Sequence, residues 1–265
     1  MAHDTKALFF DIDGTLLDWK SGIGQVPEGA QRELRRIQAL GHRLFVSSGR
    51  PWAFIDEHLR SLGFDGYVLL NGAHVELGDE TIYEERMSEH EARAAADAFA
   101  QAGSGYAVDT AHHVYIDPSF SDTLSYLSGH SASISFSFER GEVLGRTLKL
   151  ESRPTPEQRA AILEQVTREL GSAVRCDDNG TDGTFEVYSA RLSKASGIMC
   201  VLDRLGISPQ DAYGFGDGLN DLEMIRLVGC GVAMGNGADE LKAAADVVCG
   251  RVDEGGLEQI LRELF

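Results

Sequence analysis

The chain has 265 residues, of which 43% are hydrophobic, and a formal net charge of −18 at pH 7. This length allows one large domain or two modest ones with a sizeable core. The acidic residues are spread along the chain rather than concentrated in a tail, so the surface argues against nucleic acid and anionic membranes as partners. The sequence also lacks the run of about 20 apolar residues that a membrane-spanning helix requires.

The amino-terminal residues run directly into the first predicted strand, without the apolar region of a signal peptide. The chain has four cysteines, which are widely spaced and form no C-x-x-C pair: Cys176, Cys200, Cys230 and Cys249. This spacing is typical of reduced thiols and disfavours a zinc site. We therefore expect a cytoplasmic protein.

Strands and helices are predicted to alternate over residues 1–80 and again over residues 193–265. Because this alternation is typical of parallel strands joined by helices, both regions are expected to form one α/β sheet, doubly wound and mostly parallel. The predicted strands are 6–12, 42–47, 66–70, 211–216, 230–233 and 246–249, and the predicted helices are 27–40, 51–62, 194–205, 219–228, 238–244 and 254–264.

The segment between these regions has a different pattern. Capping boxes at Ser88-x-x-Glu91 and Thr155-x-x-Gln158 predict helices over 88–102 and 155–170. Short strands are predicted around them, at Thr81–Glu85, Tyr106–Asp109, His113–Ile116, Ile134–Phe138, Arg146–Glu151, Ala173–Cys176 and Thr184–Ser189. We expect an α+β cap domain of residues 82–189, inserted into a core domain of residues 1–81 and 190–265.

Asp11-Ile-Asp13-Gly-Thr directly follows the apolar strand Ala7–Phe10. In an open α/β sheet, ligands bind at the carboxyl ends of the strands. Two carboxylates this close repel each other unless a cation or a shared proton offsets the charge. A surface turn is the alternative interpretation of this motif alone.

A second acidic cluster, Gly216-Asp217-Gly-Leu-Asn220-Asp221, lies at another predicted strand-to-helix junction. If Asp221 begins the helix, its side chain lies near the loop that carries Asp217. Carboxylate oxygens at strand ends suit Mg²⁺. The alternative is an acidic helix N-terminus, where Asp and Asn cap well.

Ser48-Gly49-Arg50-Pro51 follows the predicted strand 42–47. A hydroxyl and backbone N–H groups at such a junction can hold a phosphate. Pro51 suits the first position of a helix, so Ser48 could also be an ordinary N-cap. Arg50 could bind the phosphate of a substrate or fix its own loop.

Two further polar residues follow predicted turns. Lys194 begins the helix 194–205, and a lysine in that place could equally be a solvated surface residue. Asn71-Gly72 follows the strand 66–70, where Asn71 could contact a substrate or simply form a turn.

Taken together, Asp11-x-Asp13-Gly-Thr, Ser48-Gly-Arg, Lys194 and Gly-Asp217-x-x-Asn-Asp221 resemble, in this order, the four motifs of the haloacid dehalogenase-like (HAD) hydrolase superfamily. The long insert and Asn71-Gly-Ala look like the Cof-type branch with a C2-type (IIB) cap on a Rossmann-like core. Ser48 stands where that family more often has threonine, and both residues supply a hydroxyl.

The resemblance implies a role for each motif residue. Asp11 would be the nucleophile that attacks phosphorus and forms an aspartyl-phosphate, and Asp13 the general acid and then the general base. Ser48 and Lys194 would hold phosphoryl oxygens, with Gly49 in the same loop. Asn220 would orient Lys194 or the phosphate.

The resemblance also implies a metal site. Mg²⁺ would be held by Asp11, the backbone carbonyl of Asp13 and Asp217, with Asp221 binding directly or through water. It would offset the repulsion between carboxylate and phosphate. Specificity would come from polar residues in or near cap loops, among which the sequence does not choose: His112, His113, Asp178, Asn179, Asp182 and Arg191.

We therefore expect a Mg²⁺-dependent phosphomonoester hydrolase that acts on a small phosphorylated metabolite, a sugar phosphate, as a monomer or small homo-oligomer. A phosphosugar mutase would use the same nucleophile but return the phosphate to a second hydroxyl. A receiver-like signalling domain would also combine an acceptor Asp, Mg²⁺, a hydroxyl and a Lys. There, however, the acceptor lies further along the chain and no cap is needed.

Overall fold

A computed structural model describes residues 5–123, 133–179 and 183–265. The chain divides into two compact units. We call one the core unit, formed by Met1–Gly49, Asp56–Tyr83 and Ser193–Phe265, and the other the insert unit, formed by Arg50–Ile55 and Glu84–Leu192. The boundaries given above for two domains stay a prediction.

The core unit is built on an eight-stranded sheet. Its strands are β1 (Ala7–Phe10), β2 (Arg43–Ser47), β3 (Gly66–Leu69), β4 (His74–Leu77), β5 (Glu80–Glu84), β12 (Ala212–Gly216), β13 (Cys230–Ala233) and β14 (Val247–Val248). They lie in the order β14-β13-β12-β1-β2-β3-β4-β5, and the six strands from β14 to β3 are parallel. The predicted mostly parallel sheet, with strands from both regions that flank the insert, is confirmed.

Both faces of the strands nearest the middle of this sheet are covered. These strands therefore carry apolar side chains on both faces. All four residues of β1 are fully buried, and Phe9 stacks on Phe45 of the neighbouring strand. The α-helices of the core unit are α1 (Glu28–Ala39), α2 (Glu57–Ser61), α6 (Lys194–Leu205), α7 (Leu222–Leu227), α8 (Asp239–Ala244) and α9 (Gly256–Leu264).

The prediction of a helix over residues 51–62 is wrong for the first half of that range. Pro51 has an extended backbone, and a 3-10 turn of Trp52–Phe54 follows it. The α-helix begins only after Asp56, whose side chain accepts a hydrogen bond from the backbone N–H of Leu59. Asp56, rather than Ser48, is therefore the cap that sets the start of α2.

The hairpin of β4 and β5 differs from the prediction as well. β4 was not predicted, and the strand at Thr81–Glu85, expected in the cap, belongs to the core sheet. β4 pairs antiparallel with β3. Its polar residues His74 and Glu76 are buried and hydrogen-bonded to each other at 2.8 Å. Val75 and Leu77 alternate with these polar residues, so the sequence carries a strand pattern here that the prediction did not use.

The insert unit has a six-stranded sheet and three α-helices among its described residues. The strands are β6 (Tyr106–Asp109), β7 (Val114–Ile116), β8 (Ile134–Ser135), β9 (Lys149–Ser152), β10 (Val174–Asn179) and β11 (Thr184–Ser189), in the order β10-β11-β9-β6-β7-β8, and the helices are α3 (Glu89–Gln101), α4 (Arg140–Val143) and α5 (Pro156–Leu170). Both predicted capping boxes are present, at the starts of α3 and α5.

Segment 50–55 joins the insert unit through packing. Ala53 and Phe54 contact a small apolar cluster that includes Ala107 and Ile116. The loop predicted at 180–183 falls mostly outside the described residues, as does Asp182. In the part of the chain that the structure describes, no helix is both long and apolar enough to cross a membrane. All four cysteines are free thiols.

Candidate active site

The candidate site is built from residues that follow neighbouring parallel strands. Phe10 at the end of β1 is in register with Phe215 of β12 on one side and with Val46 of β2 on the other. Adjacent strands lie about 4.8 Å apart. Asp217, Asp11 and Ser48 therefore leave the same edge of the sheet side by side, as the sequence predicts for ligand-binding residues.

Lys194 joins the two acidic motifs. Its ammonium donates hydrogen bonds to Oδ1 of Asp11 and Oδ1 of Asp221, both at 2.6 Å, and its side chain is fully buried. Burial by itself would lower the pKa of Lys194, but the two carboxylates outweigh it and raise the pKa above its usual value. The interpretation of Lys194 as a solvated surface residue is wrong, and the lysine stays positively charged.

Asp221 shapes the loop that carries Asp217. Its Oδ2 accepts hydrogen bonds from the backbone N–H groups of Asp217, at 3.0 Å, and Gly218, at 2.9 Å. The expected proximity of the Asp221 side chain to this loop is confirmed. Both carboxylate oxygens of Asp221 are thus used, one for Lys194 and one for the backbone.

The carboxylates of Asp11, Asp217 and Asp221 form one cluster, with ligand oxygens within 4.8 Å of one another. Burial raises the pKa of Asp11 well above its usual value, Lys194 opposes this shift and the neighbouring carboxylates add to it. Burial, followed by repulsion from Asp221, raises the pKa of Asp217 to about 7. Like charges held this close favour protonation or a bound cation.

The donor set fits a hard divalent cation. Three clustered carboxylates face one ammonium, that of Lys194, so the cluster has an excess of negative charge. All three residues offer oxygen ligands, which Mg²⁺ and similar ions prefer. The cluster therefore presents three carboxylate groups to such an ion.

Gly14 is required by the position of Asp217. Its φ of 84° lies in the left-handed region, and a Cβ added to it would be only 2.1 Å from Oδ2 of Asp217. No side chain other than hydrogen fits without moving that carboxylate. The glycine of the first motif therefore leaves room for a side chain of the fourth.

Asp13 lies in a tight loop rather than on a regular strand, because β1 ends at Phe10. The backbone N–H of Gly14 donates to the carbonyl of Leu17 at 2.7 Å, which closes this loop. Asp11 is buried whereas Asp13 is exposed. The charge of Asp13 nevertheless contributes to the raised pKa of Asp11, so the two carboxylates lie near each other.

The second group of predicted residues gathers around Asn71. Its backbone N–H donates to the carbonyl of Ser48 at 3.2 Å, and its Oδ1 accepts a hydrogen bond from Nδ2 of Asn220 at 3.4 Å. A Cβ added to Gly49 would lie 3.0 Å from the same Oδ1. Ser48, Gly49, Asn71 and Asn220 therefore share one small region.

The expectation that Asn220 orients Lys194 is not met. The ammonium of Lys194 bonds to Asp11 and Asp221, whereas the amide of Asn220 bonds to Asn71. Two carboxylates already fix the lysine, and they are stronger acceptors for a cation than an amide is. A role for Asn220 toward phosphate stays a prediction.

Asn71 forms a turn, which is one of the two alternatives left open by the sequence, and its contact with a substrate stays a prediction. Leu70, Asn71 and Gly72 all have positive φ, at 53°, 54° and 97°, so the segment is a strained turn. A Cβ added to Gly72 would be 2.2 Å from the carbonyl oxygen of Ser193. The turn therefore packs directly against the residue that caps α6, just before Lys194.

Arg50 and several polar residues of the insert unit have local partners there. Nη1 of Arg50 donates to the carbonyl of Phe54 at 3.1 Å, which holds its own loop. The other pairs are Arg159 with Asp178, Arg191 with Glu85 and His113 with Ser135. Nothing in these contacts singles out one residue for substrate.

The sequence did not identify Asn236. Its Nδ2 donates to the carbonyl of Gly14 at 2.7 Å, and its Oδ1 accepts from the backbone N–H of Val252 at 3.1 Å. Asn236 thus ties the loop of the first motif to the carboxyl-terminal part of the chain. The only signal was Gly235-Asn-Gly, which indicates a turn but not its partner.

Comparison with known proteins defines the family. The sequence profile described as haloacid dehalogenase-like hydrolase matches residues 8–261. The "Putative phosphatase YkrA" of Bacillus subtilis (strain 168) is 34% identical over 98% of this chain and 98% of its own. The chain therefore belongs to the haloacid dehalogenase-like hydrolases.

Solved structures agree with this assignment. The HAD subclass IIB sugar phosphatase BT4131 is 27% identical, with a TM-score of 0.84 over 98% of this chain and 99% of its own. A protein of Geobacillus kaustophilus HTA426 is 29% identical, with a TM-score of 0.82 over 98% of each chain. The predicted HAD family, its Cof-type branch and the phosphatase class of enzyme are confirmed. The receiver-like alternative is wrong.

Proposed function

We propose that this protein is a Mg²⁺-dependent phosphomonoester hydrolase that releases phosphate from a small sugar phosphate through an aspartyl-phosphate. The main support is the buried Lys194, whose ammonium contacts Asp11 and Asp221 at 2.6 Å and so unites two motifs distant in sequence. The sugar phosphatase BT4131, with the same fold, supports the class of substrate.

Asp11 is the nucleophile in this proposal. One of its carboxylate oxygens forms a bond to phosphorus while the bond from phosphorus to the leaving oxygen breaks. Asp13 gives its proton to that oxygen and then takes a proton from the water that attacks the phosphorus. Attack by the water releases inorganic phosphate and restores Asp11. The exposure of Asp13 suits a group that exchanges protons with water.

Lys194 holds the nucleophile in place and stabilises negative charge. Its raised pKa keeps it charged throughout the neutral range. Because it is fully buried, its charge is poorly screened by water, and it stabilises the charge that spreads over the phosphoryl oxygens in the transition state.

The remaining residues orient the phosphate. In this proposal the hydroxyl of Ser48 and the backbone N–H of Gly49 hold phosphoryl oxygens. Asn71 and Asn220, hydrogen-bonded to each other, line the same region. Arg50 stabilises its own loop through Phe54.

Asp11, Asp217 and the backbone carbonyl of Asp13 would hold Mg²⁺, with Asp221 binding it directly or through water. When bound, the ion would offset the repulsion between the carboxylate of Asp11 and the phosphate dianion. Three carboxyl groups with ligand oxygens within 4.8 Å of one another support this assignment.

Replacing Asp11 with Asn tests the proposal. The variant is expected to lose turnover of sugar phosphates and of an aryl phosphate, with the same circular dichroism spectrum as the wild type. Activity should disappear with EDTA and return with Mg²⁺. Free phosphate as the product supports a hydrolase, whereas an isomerised sugar phosphate would show a mutase. Retained activity in Asp11→Asn would refute the nucleophile.

A further inference from the structure

A small closed loop carries an exposed tryptophan just after the first motif. The backbone N–H of Asp18 donates to the carbonyl of Ile23 at 2.9 Å, and the N–H of Ile23 donates back at 2.8 Å. Inside the loop, the carboxylate of Asp18 accepts from the backbone N–H of Lys20 at 3.1 Å and the hydroxyl of Ser21 at 2.6 Å. These bonds fix the loop, which we call the 18–23 loop.

Trp19 on this loop is 63% exposed, more than any other large hydrophobic side chain in the described part of the chain. Its ring lies against Gly24, where an added Cβ would be 2.6 Å from a ring carbon. The indole is therefore supported on one side and open on the other. An exposed indole forgoes the free energy of burial, so its position favours a binding role.

The 18–23 loop lies beside the candidate site. It directly follows the turn in which the N–H of Gly14 donates to Leu17. Asp13 of the first motif forms an isolated β-bridge with Leu17, the residue just before the 18–23 loop. Among the described residues, no carboxylate lies within ion-pair distance of Lys20, so its charge is available to an anion.

We propose that Trp19 and Lys20 position the substrate: the indole stacks on the apolar C–H face of a sugar ring, and the ammonium attracts the phosphate of the same molecule. This inference rests on the proposed function and adds a site of ring recognition to it. An indole gives a large, rigid contact surface at little entropic cost, and a chain of net charge −18 repels anions elsewhere.

The test compares two substrates, the best cyclic sugar phosphate in a panel and acetyl phosphate, which has no ring. In Trp19→Ala, kcat/KM for the sugar phosphate is expected to fall about tenfold, mainly through KM, as for loss of one aromatic contact. The value for acetyl phosphate should stay within about twofold. Trp19→Phe should recover most of the loss.

Leu40→Ala is the matched control. Leu40 is also exposed, at 48%, but it follows the end of α1. The Leu40→Ala variant should leave kcat/KM unchanged for both substrates. Lys20→Met should lower kcat/KM for both substrates, with a smaller effect at high salt, and Lys20→Arg should restore it.

Two results would overturn the inference while leaving a phosphatase in place. One is an equal loss, or no loss, for both substrates in Trp19→Ala. The other is a wild-type enzyme that hydrolyses acetyl phosphate but no cyclic sugar phosphate in the panel. A wild type inactive toward every phosphate ester would instead refute the proposed function, and this inference with it.

Discussion

Lys149 donates a hydrogen bond to Glu186 on the neighbouring strand of the insert unit, with 2.5 Å between Nζ and Oε1. Both side chains are almost fully buried. Glu151 accepts a second hydrogen bond from the same ammonium at 3.0 Å, and Asp109 lies 3.4 Å from it. Three buried carboxyl groups therefore depend on one buried cation.

Lys149→Met is expected to destabilise the protein strongly, since it leaves buried carboxylates without their partner. Removing one member of a buried ion pair costs about 3–5 kcal/mol in the free energy of unfolding, which urea denaturation would measure. The control is Lys242→Met, which removes a surface ion pair with Asp239 and should cost less than about 1 kcal/mol. A similarly small loss for Lys149→Met would contradict the prediction.

Asp109 should make stability depend on pH. Burial raises the pKa of its carboxyl well above the usual value, Glu151 and Glu186 add to the shift and Lys149 opposes it. The folded protein then keeps a proton that the unfolded chain has lost, so this contribution is complete below about pH 4 and is lost as the pH rises through the folded-state pKa.

Asp109→Asn cannot ionise, so it should lose less stability than the wild type as the pH rises from about 5 to about 8. Urea denaturation at both pH values gives the comparison. Equal changes in the two proteins would show that Asp109 does not carry the effect.

Gly14→Ala is expected to weaken metal binding. The new Cβ would be 2.1 Å from Oδ2 of Asp217 and would displace that carboxylate. Even the loss of a group that only orients a metal ligand typically costs about 10- to 100-fold in affinity, so displacing the ligand itself should cost at least as much. Calorimetric titration with Mg²⁺ measures it directly, without substrate.

Gly22→Ala separates this clash from backbone strain. Gly22 has a similar φ, 77°, but an added Cβ there meets nothing within 4 Å. Both variants should lose about 1 kcal/mol of stability, because alanine is strained in the left-handed backbone. Only Gly14→Ala should bind Mg²⁺ more weakly. Equal affinities in the two variants would exclude the proposed clash.

Two substitutions separate the role of Asn71 in the turn from the role of its side chain. Its φ of 54° favours glycine over alanine. Asn71→Gly should therefore keep the stability of the wild type, whereas Asn71→Ala should lose about 1 kcal/mol. If the amide lines the phosphate region, both variants should lose turnover of sugar phosphates by a similar factor. Full activity in Asn71→Gly would mean that residue 71 only forms the turn.

Local signals in the sequence predicted much of the fold. The capping boxes of Ser88 and Thr155 place the starts of α3 and α5, because each box satisfies backbone donors within four residues. Apolar runs located the strands, and the carboxyl ends of parallel strands bring Asp11, Ser48 and Asp217 to one edge whatever the details of packing.

Features that depend on distant residues were not predictable. The burial of His74 and Glu76, which are hydrogen-bonded to each other, is one such feature, because alternating polar residues in a strand are ordinarily expected on an exposed face. Glu151 lies two residues from Lys149 on the same strand, but nothing in the sequence indicates that Asp109 of β6 and Glu186 of β11 would also surround this lysine. A charged residue inside a sheet can be recognised only when its partners on other strands are known.

The two carboxylate oxygens of Asp221 accept hydrogen bonds from different donors. Oδ1 accepts from the ammonium of Lys194, and Oδ2 accepts from two backbone N–H groups. An asparagine there would offer a single acceptor and would turn its NH₂ group toward either the ammonium or the peptide donors. Asp221→Asn would therefore change the shape of the loop that carries Asp217 as well as the charge of the cluster. Glutamate is longer by one methylene and could not place its two oxygens against both sets of donors. Aspartate is therefore the residue that fits position 221.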